Sequence, residues 1–457
     1  MCGIFGIYPH KDAARMAYLG LYALQHRGEE SAGIITRNCR RTYLHKGMGL
    51  VNDVFDEKNI RALKGEMAVG HLRYSTTGSS SLKNTQPFYV KSKIGDIAIA
   101  HNGNLTNTIR LHEDLETNGA LFQTTMDSEI IAHLLAHSPN KKDYKEAITW
   151  SLAHLEGAYS LVLMLNDVLI GARDPFGWRP LCLGKLDGAY ILASETCALD
   201  LIGAQYIRDI EPGECVFIYK DRIETFKFAE QPRRAYCIFE YIYFARPDSN
   251  IFGHNVYLAR KKLGARLAAE FPVPADIVMP IPDSGTYAAL GFAQASKIPF
   301  EYGMIRNHYV GRTFIQPSQD MRDFRVRIKL NPLKEVLAGK KVVIIEDSIV
   351  RGTTSKRRVR ALLEAGAKEV HMRVSCPPLR FPCYYGIDFP TKKELIAFNH
   401  DIAWIRDFIG ASSLEYLSLE GMLSSMPLPK ENFCTACFTG DYPASAPCRL
   451  CKESLER

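Results

Sequence analysis

The segment KKVVIIEDSIVRGTTS (340–355) constrains the fold of this chain more than any other. Val342 to Ile345 is a run of branched apolar residues with no polar alternation, so it reads as a strand covered on both faces. The run ends in two carboxylates and a polar loop, and TSKRRVRALLEAG then reads as a helix. Its surroundings repeat the pattern. ADIVMPIP (275–282) and EVHMRVS (369–375) read as strands, and HNVYLARKKLGARLAAEF (254–271) and YAALGFAQAS (287–296) as helices. Buried strands alternating with helices predict a doubly wound α/β unit with a parallel sheet. Between them lies a polar, basic stretch at 303–331, longer than a compact domain keeps without a function.

The first half has another grammar. AARMAYLGLYALQ (13–25) and EIIAHLLAH (129–137) carry apolar residues at helical spacing. MAVGHLRYS, IAIAHNGNL, YSLVLML and VLIGARD read as strands, and CVFIYKDRIETFKF as a closing hairpin. The boundary is expected around Pro232, giving units over 2–235 and 236–457. With 457 residues, 46% apolar and 23% charged, the chain is neither disordered, collagenous nor a simple coiled coil. The net charge of +7 is uneven: residues 1–236 are balanced, whereas residues 303–360 hold 14 basic and 5 acidic side chains. A local excess of this kind points to a polyanion site, for which nucleic acid is one candidate class. The N-terminus lacks a signal-peptide pattern, and the apolar run from Tyr159 is broken by Asn166 and Asp167, so a soluble cytoplasmic protein is expected.

Cys2 follows the initiator Met, whose removal would leave a cysteine with a free α-amine. Such a residue can be nucleophile and base at once, because an α-amino group is partly unprotonated near neutral pH. The plainer reading is an inert second residue. CGIFGIY, however, is followed by QHRGEESAG (25–33), GHLRYSTTG (70–78), AHNGNLTN (100–107) and MDSE (126–129). Together these resemble the class II glutamine amidotransferases, the N-terminal-nucleophile glutaminases, which implies an α+β αββα sandwich. The resemblance implies Cys2 as nucleophile, with Asn102 and the Gly103 N–H as oxyanion donors. Glutamine is zwitterionic at its α-carbon, and the resemblance implies Arg73 for its carboxylate and Asp127 for its ammonium. The residues alone leave two other readings open: Asn102-Gly103 as a hairpin turn, and Arg73 as half of a surface ion pair.

VVIIEDSIVRGTTS lacks GxxxxGK[ST], so it is not a P-loop. It resembles the phosphoribosylpyrophosphate (PRPP) signature of type I phosphoribosyltransferases. That resemblance implies Glu346 and Asp347 on the ribose hydroxyls, and Ser348, Arg351, Gly352, Thr353 and Thr354 around the 5-phosphate at a helix start. The related motif usually carries two Asp, from which Glu346 departs. PDSG places Asp283, Ser284 and Gly285 at the pyrophosphate position, with Mg²⁺ expected at Ser284, Glu346 and Asp347. Arg306, Arg312, Arg322, Arg325, Arg327 and Lys329 occur in a stretch resembling the loop that closes over PRPP.

Joined in one chain, the two halves resemble the glutamine PRPP amidotransferases. The resemblance implies glutamine and PRPP as substrates, purine nucleotides as feedback inhibitors, a homotetramer, and no nucleic-acid or membrane partner. The alternative is a PRPP-binding regulator that contacts nucleic acid, with a vestigial glutaminase unit. The chain has 12 cysteines, which in a reducing compartment are thiols, catalytic groups or metal ligands rather than disulfides. CTACFTGDYP (434–443) with Cys237 and Cys383 resembles the subclass in which Cys237, Cys383, Cys434 and Cys437 hold a 4Fe–4S cluster. Zinc at Cys434, Cys437, Cys448 and Cys451 is the rival.

Overall fold

The computed structural model describes residues 1–39, 41–75, 78–230, 233–307, 330–389 and 391–444. Pro232, Lys329, the arginines at 312, 322, 325 and 327, Cys448 and Cys451 lie outside the described residues.

The first half builds two antiparallel sheets. One has seven strands in the order Gln205–Asp209, Cys182–Leu186, Ala189–Ala193, Gly3–Tyr8, Met67–Arg73, Ser31–Asn38 and Arg41–Met48. The other has six: Ile223–Lys227, Glu214–Ile218, Val168–Arg173, Gly157–Leu165, Gly95–Leu105 and Phe88–Ser92. Ile4, Val69, Ala100, Val162 and Val216 fill the space between the sheets. Gly6 lets them approach closely, since a Cβ there would stand 2.6 Å from Val162. The outer face of the first sheet packs on helix Ala13–Ala23 through Phe5, Ala17 and Leu21. The outer face of the second packs on helices Thr108–Thr117, Asp127–His137 and Tyr144–Ala153. The layers therefore run α, β, β, α. Covered on both sides, the Gly3–Tyr8 and Gly157–Leu165 strands are buried at every residue.

The second half is a four-stranded parallel sheet in the order Ile277–Pro280, Lys341–Glu346, Glu369–Val374 and Ser413–Tyr416. Helices Val256–Glu270, Thr286–Ser296 and Thr353–Glu364 flank it. All strands point one way, so the loops after Pro280, Glu346 and Val374 gather at one edge, where ligands bind in open α/β sheets. Segment 382–386 leads from that edge to the first half. There the Tyr385 ring stacks on Trp178 at 4.3 Å, and the Tyr384 carbonyl accepts from Asn104 Nδ2 at 3.1 Å.

Candidate active site

Cys2 stands at the head of the fully buried Gly3–Tyr8 strand, and Asn102 and Gly103 face it from the other sheet. The Cys2 N–H donates to Asn102 Oδ1 at 3.1 Å, and the thiol lies 3.7 Å from the Tyr74 carbonyl. Asn102 Nδ2 is buried with no hydrogen-bond partner among the described residues. Asn102 and Gly103 are not a hairpin turn: both lie inside the strand Gly95–Leu105, paired with Ser160 and Tyr159. Gly103 adopts φ 156°, and a Cβ there would stand 2.0 Å from the Ala158 carbonyl oxygen, so no other residue fits. Burial pushes the Cys2 thiol up, against the opposing pull of the chain-terminal amine and Arg73. Burial also holds the Met1 α-amine down to about 5.

Arg73 is buried, so it is no surface ion pair, but it is engaged. Its Nη1 donates to Glu30 at 2.5 Å and to the Ser79 carbonyl at 2.9 Å, and its Nη2 to the Gly78 carbonyl at 3.2 Å. Asp127 opens its helix and accepts from the Leu105 N–H at 3.0 Å and the Ser128 hydroxyl at 3.3 Å. Burial would raise its carboxyl, yet the neighbouring His101 and these donors outweigh that and hold it below the usual range. One contributor within the GHLRYSTTG motif is not singled out by the sequence: His71, which burial pushes down to about 3. Neutral, its Nε2 donates to the His101 carbonyl at 3.1 Å and ties one sheet to the strand carrying Asn102.

At the edge of the parallel sheet, Gly285 lets the PDSG turn meet the Lys341–Glu346 strand; a Cβ there would stand 2.2 Å from the Ile345 carbonyl oxygen. Asp283, Ser284, Glu346, Asp347 and Ser348 thereby line one cavity. Glu346 and Asp347 are both buried, and the Ser348 hydroxyl donates to Asp347 at 2.6 Å. Burial pushes the Glu346 carboxyl up to about 8, with Arg358 opposing and Asp347 adding to the rise. Gly352, in the left-handed region at φ 73°, turns the chain into helix Thr353–Glu364, whose first N–H groups and dipole face the cavity. Arg351 pairs with Glu394 at 3.1 Å, and Arg306 pairs with Asp283. Arg358 pairs with Glu346, and Arg260 reaches the cavity from helix Val256–Glu270. These last two cations are recognisable only in three dimensions.

The cavity holds about 1250 Å³. Besides the PRPP-type loops, its wall includes Tyr74, the acceptor of the Cys2 thiol, and Asn104, next to Gly103. Immediate neighbours of Cys2 and Gly103 thus line the cavity of the second centre, while Cys2, Asn102 and Gly103 themselves do not.

Cys237 and Cys434 sit opposite one another where strand Tyr236–Cys237 pairs with Phe433–Cys434. Burial holds both thiols up, to about 11 and about 12, and Cys383 adds to the rise at each. Cys437 is raised by burial and then by Cys237, Cys383 and Cys434, so the four sulfurs share one neighbourhood. Among the described residues, no three His, Cys, Asp or Glu side chains converge on a single ion position.

A family model described as a glutamine amidotransferase domain matches residues 71–201. An amidophosphoribosyltransferase of Synechococcus elongatus is 50% identical over 460 residues, covering 99% of this chain and 93% of the relative. One of Archaeoglobus fulgidus is 48% identical, covering 99% of this chain and all of the relative. The chain belongs to the amidophosphoribosyltransferase family. Its fold agrees: glutamine PRPP amidotransferase from B. subtilis, solved with ADP and GMP, superposes with a TM-score of 0.92 at 47% identity, over 97% of this chain and 98% of that one. With relatives matching along nearly its whole length, the chain is a glutamine-dependent enzyme of the first step of purine biosynthesis. The family match leaves the nucleic-acid-binding regulator unfavoured. No helix among the described residues is long and apolar enough to cross a membrane.

Proposed function

We propose that the chain hydrolyses glutamine at Cys2 and uses the ammonia, inside the adjoining cavity, to displace pyrophosphate from PRPP, giving 5-phosphoribosylamine and glutamate. The observation that carries this reading is the cavity wall, in which Tyr74 and Asn104 stand with Asp283, Asp347 and Thr353. The glutaminase part is assigned to 2–235 and the phosphoribosyltransferase part to 236–457.

Once Met1 is removed, the Cys2 α-amine keeps Asn102 Oδ1 as its acceptor and takes the thiol proton. That transfer is needed because burial keeps the thiol protonated. The thiolate adds to the side-chain amide carbon. The developing oxyanion meets Asn102 Nδ2, which has no partner among the described residues, together with the Gly103 N–H. The α-ammonium returns its proton to the leaving nitrogen, and water then hydrolyses the thioester to glutamate. Arg73 and Asp127 hold the substrate zwitterion; the glutamine carboxylate joins or replaces the carbonyls that engage Arg73.

On the other side of the cavity, Ser348, Arg351, Gly352, Thr353 and Thr354 cradle the 5-phosphate. Glu346 and Asp347 orient the ribose, and Asp283, Ser284 and Gly285 border the pyrophosphate, with Lys329 assigned to PRPP binding as well. Two adjacent carboxylates and a hydroxyl suit Mg²⁺, which commonly uses one or two protein carboxylates plus substrate oxygens, so Ser284, Glu346 and Asp347 would hold it. Bound there, it would neutralise charge on the departing pyrophosphate.

The all-thiol set Cys237, Cys383, Cys434 and Cys437 suits a 4Fe–4S cluster, which takes one thiolate at each of four irons. The zinc alternative draws two of its four ligands, Cys448 and Cys451, from outside the described residues and leaves Cys237 and Cys383 without a role. The B. subtilis relative solved with ADP and GMP supports purine-nucleotide feedback on this chain. A homotetramer in the cytoplasm completes the proposal.

The test is Cys2→Ala. Glutamine-dependent pyrophosphate release should vanish while release driven by added ammonia persists; loss of both would refute the division of labour between the two centres.

A further inference from the structure

Arg27, Arg179, Glu195 and Glu240 all lie fully buried behind the nucleophile. Three come from the first half of the chain. Glu240 comes from the second, where it opens the five-residue π turn Glu240–Phe244, a conformation that concentrates at functional sites. Buried charges are costly unless each is paired, so the geometry of the pairing carries information.

Arg27 grips the Glu240 carboxylate with both terminal nitrogens, Nη1 at 3.1 Å and Nη2 at 2.9 Å. Its third donor, Nε, reaches the Cys2 carbonyl at 2.9 Å. Arg179 Nη1 stands 3.5 Å from the same carboxylate, while its Nε donates to the Tyr385 carbonyl at 3.0 Å and its Nη2 at 2.5 Å. The next residue, Gly386, presses on the Gly103 backbone so closely that a Cβ would stand 2.9 Å from the Gly103 carbonyl carbon. One carboxylate therefore faces both guanidinium groups that hold the glutaminase centre. One fixes the nucleophile's own peptide, and the other fixes the segment behind the oxyanion donor.

The π turn is anchored at its far end too. Arg260 donates to the Tyr241 carbonyl at 2.7 Å and the Ala245 carbonyl at 2.8 Å, and Tyr243 and Phe244 line the cavity while Glu240 does not. Glu195 also pairs with Arg27, at 2.5 Å, but it comes from the first half and is shared with His26 and Ser249. Glu240 is thus the carboxylate through which the phosphoribosyl half reaches Arg27 and Arg179.

We propose that Glu240 is a positioning residue for glutamine hydrolysis, acting through Arg27 on Cys2 and through Arg179 and segment 385–386 on Gly103. The inference rests on the glutaminase reading of Cys2. Neutralising Glu240 removes the charge that Arg27 binds and that Arg179 faces at 3.5 Å, and frees both backbones to shift. Small misplacements of reacting groups cost on the order of 10- to 100-fold in rate.

The test compares Glu240→Gln and Glu240→Asp with the unchanged enzyme in three assays: glutamine-dependent pyrophosphate release, ammonia-dependent release, and alkylation of Cys2 by a diazoketone analogue of glutamine. For Glu240→Gln the expected result is a fall of about tenfold or more in glutamine kcat and in alkylation rate, with glutamine KM and ammonia-dependent activity unchanged. Glu240→Asp, which keeps the charge, should recover part of the loss. Equal loss with glutamine and ammonia, or no loss with either, overturns the proposal. If Glu240→Gln does not fold, the same comparison is made on Glu240→Asp, where loss confined to glutamine supports the proposal and any other pattern overturns it. An unchanged enzyme inert with glutamine but active with ammonia would instead refute the glutaminase reading.

Discussion

Asn102 accepts the Cys2 backbone N–H through Oδ1 at 3.1 Å, and this bond leaves its Nδ2 as a buried donor without a partner among the described residues. The orientation of the amide follows from chemistry, because the Cys2 nitrogen is a donor here and must face the oxygen. An unpaired buried donor is costly unless something fills it, and an oxyanion beside Cys2 would. Asn102→Asp keeps the acceptor and removes the donor. We expect glutamine kcat to fall on the order of 10²–10³-fold, with ammonia-dependent synthesis retained, as measured by steady-state kinetics with each nitrogen source.

Gly386 sits at φ 102° with its α-carbon against the Gly103 backbone. Alanine there is strained and also pushes Gly103, the proposed oxyanion donor. Gly386→Ala should therefore lower glutamine-dependent turnover while ammonia-dependent turnover survives, and the same kinetic comparison reads this directly.

Asp127 gives a pH signature. Its carboxyl is held below the ordinary value of 3.8, so the ionised form stabilises the fold. That contribution is fully present above the unfolded-state value and is lost as pH falls through the lower folded-state value. Asp127→Asn should lower the melting temperature from neutral pH down to the mildly acidic range, and the gap should close only below about 3.8. Loss of its charged hydrogen bonds corresponds to about 1.5–3 kcal/mol. Thermal melts of both proteins across pH check the sign.

Cys383 separates the two metal readings. It belongs to the proposed iron–sulfur set and not to the zinc set, so Cys383→Ser should abolish the iron of an anaerobic preparation. Metal analysis of the unchanged protein should find about four irons per chain. Zinc that survives the Cys383→Ser substitution would contradict the cluster.

Much of this was legible in the chain because the relevant signals are local. Val342–Ile345 reads as a buried strand on composition alone, and the carboxylates and hydroxyls after it fall at a strand end whichever residues lie alongside. Asn102-Gly103 was ambiguous because the pair carries a turn signal, and what keeps the strand running is tertiary: Gly103 fits against the Ala158 carbonyl of the neighbouring strand. Arg27 and Glu240 stand 213 residues apart, and an Arg in QHRG looks no different from a surface cation until the fold buries it. Arg260 and Arg358 were hidden for the same reason, each lying within an ordinary-looking helix.

The central claim, that two neighbouring centres perform one reaction, is tested most directly by stoichiometry. With glutamine and PRPP supplied together and no ammonia added, glutamate and pyrophosphate should appear in equal amounts, and pyrophosphate release should need both substrates. Glutamate formed without PRPP-dependent pyrophosphate release would contradict the account.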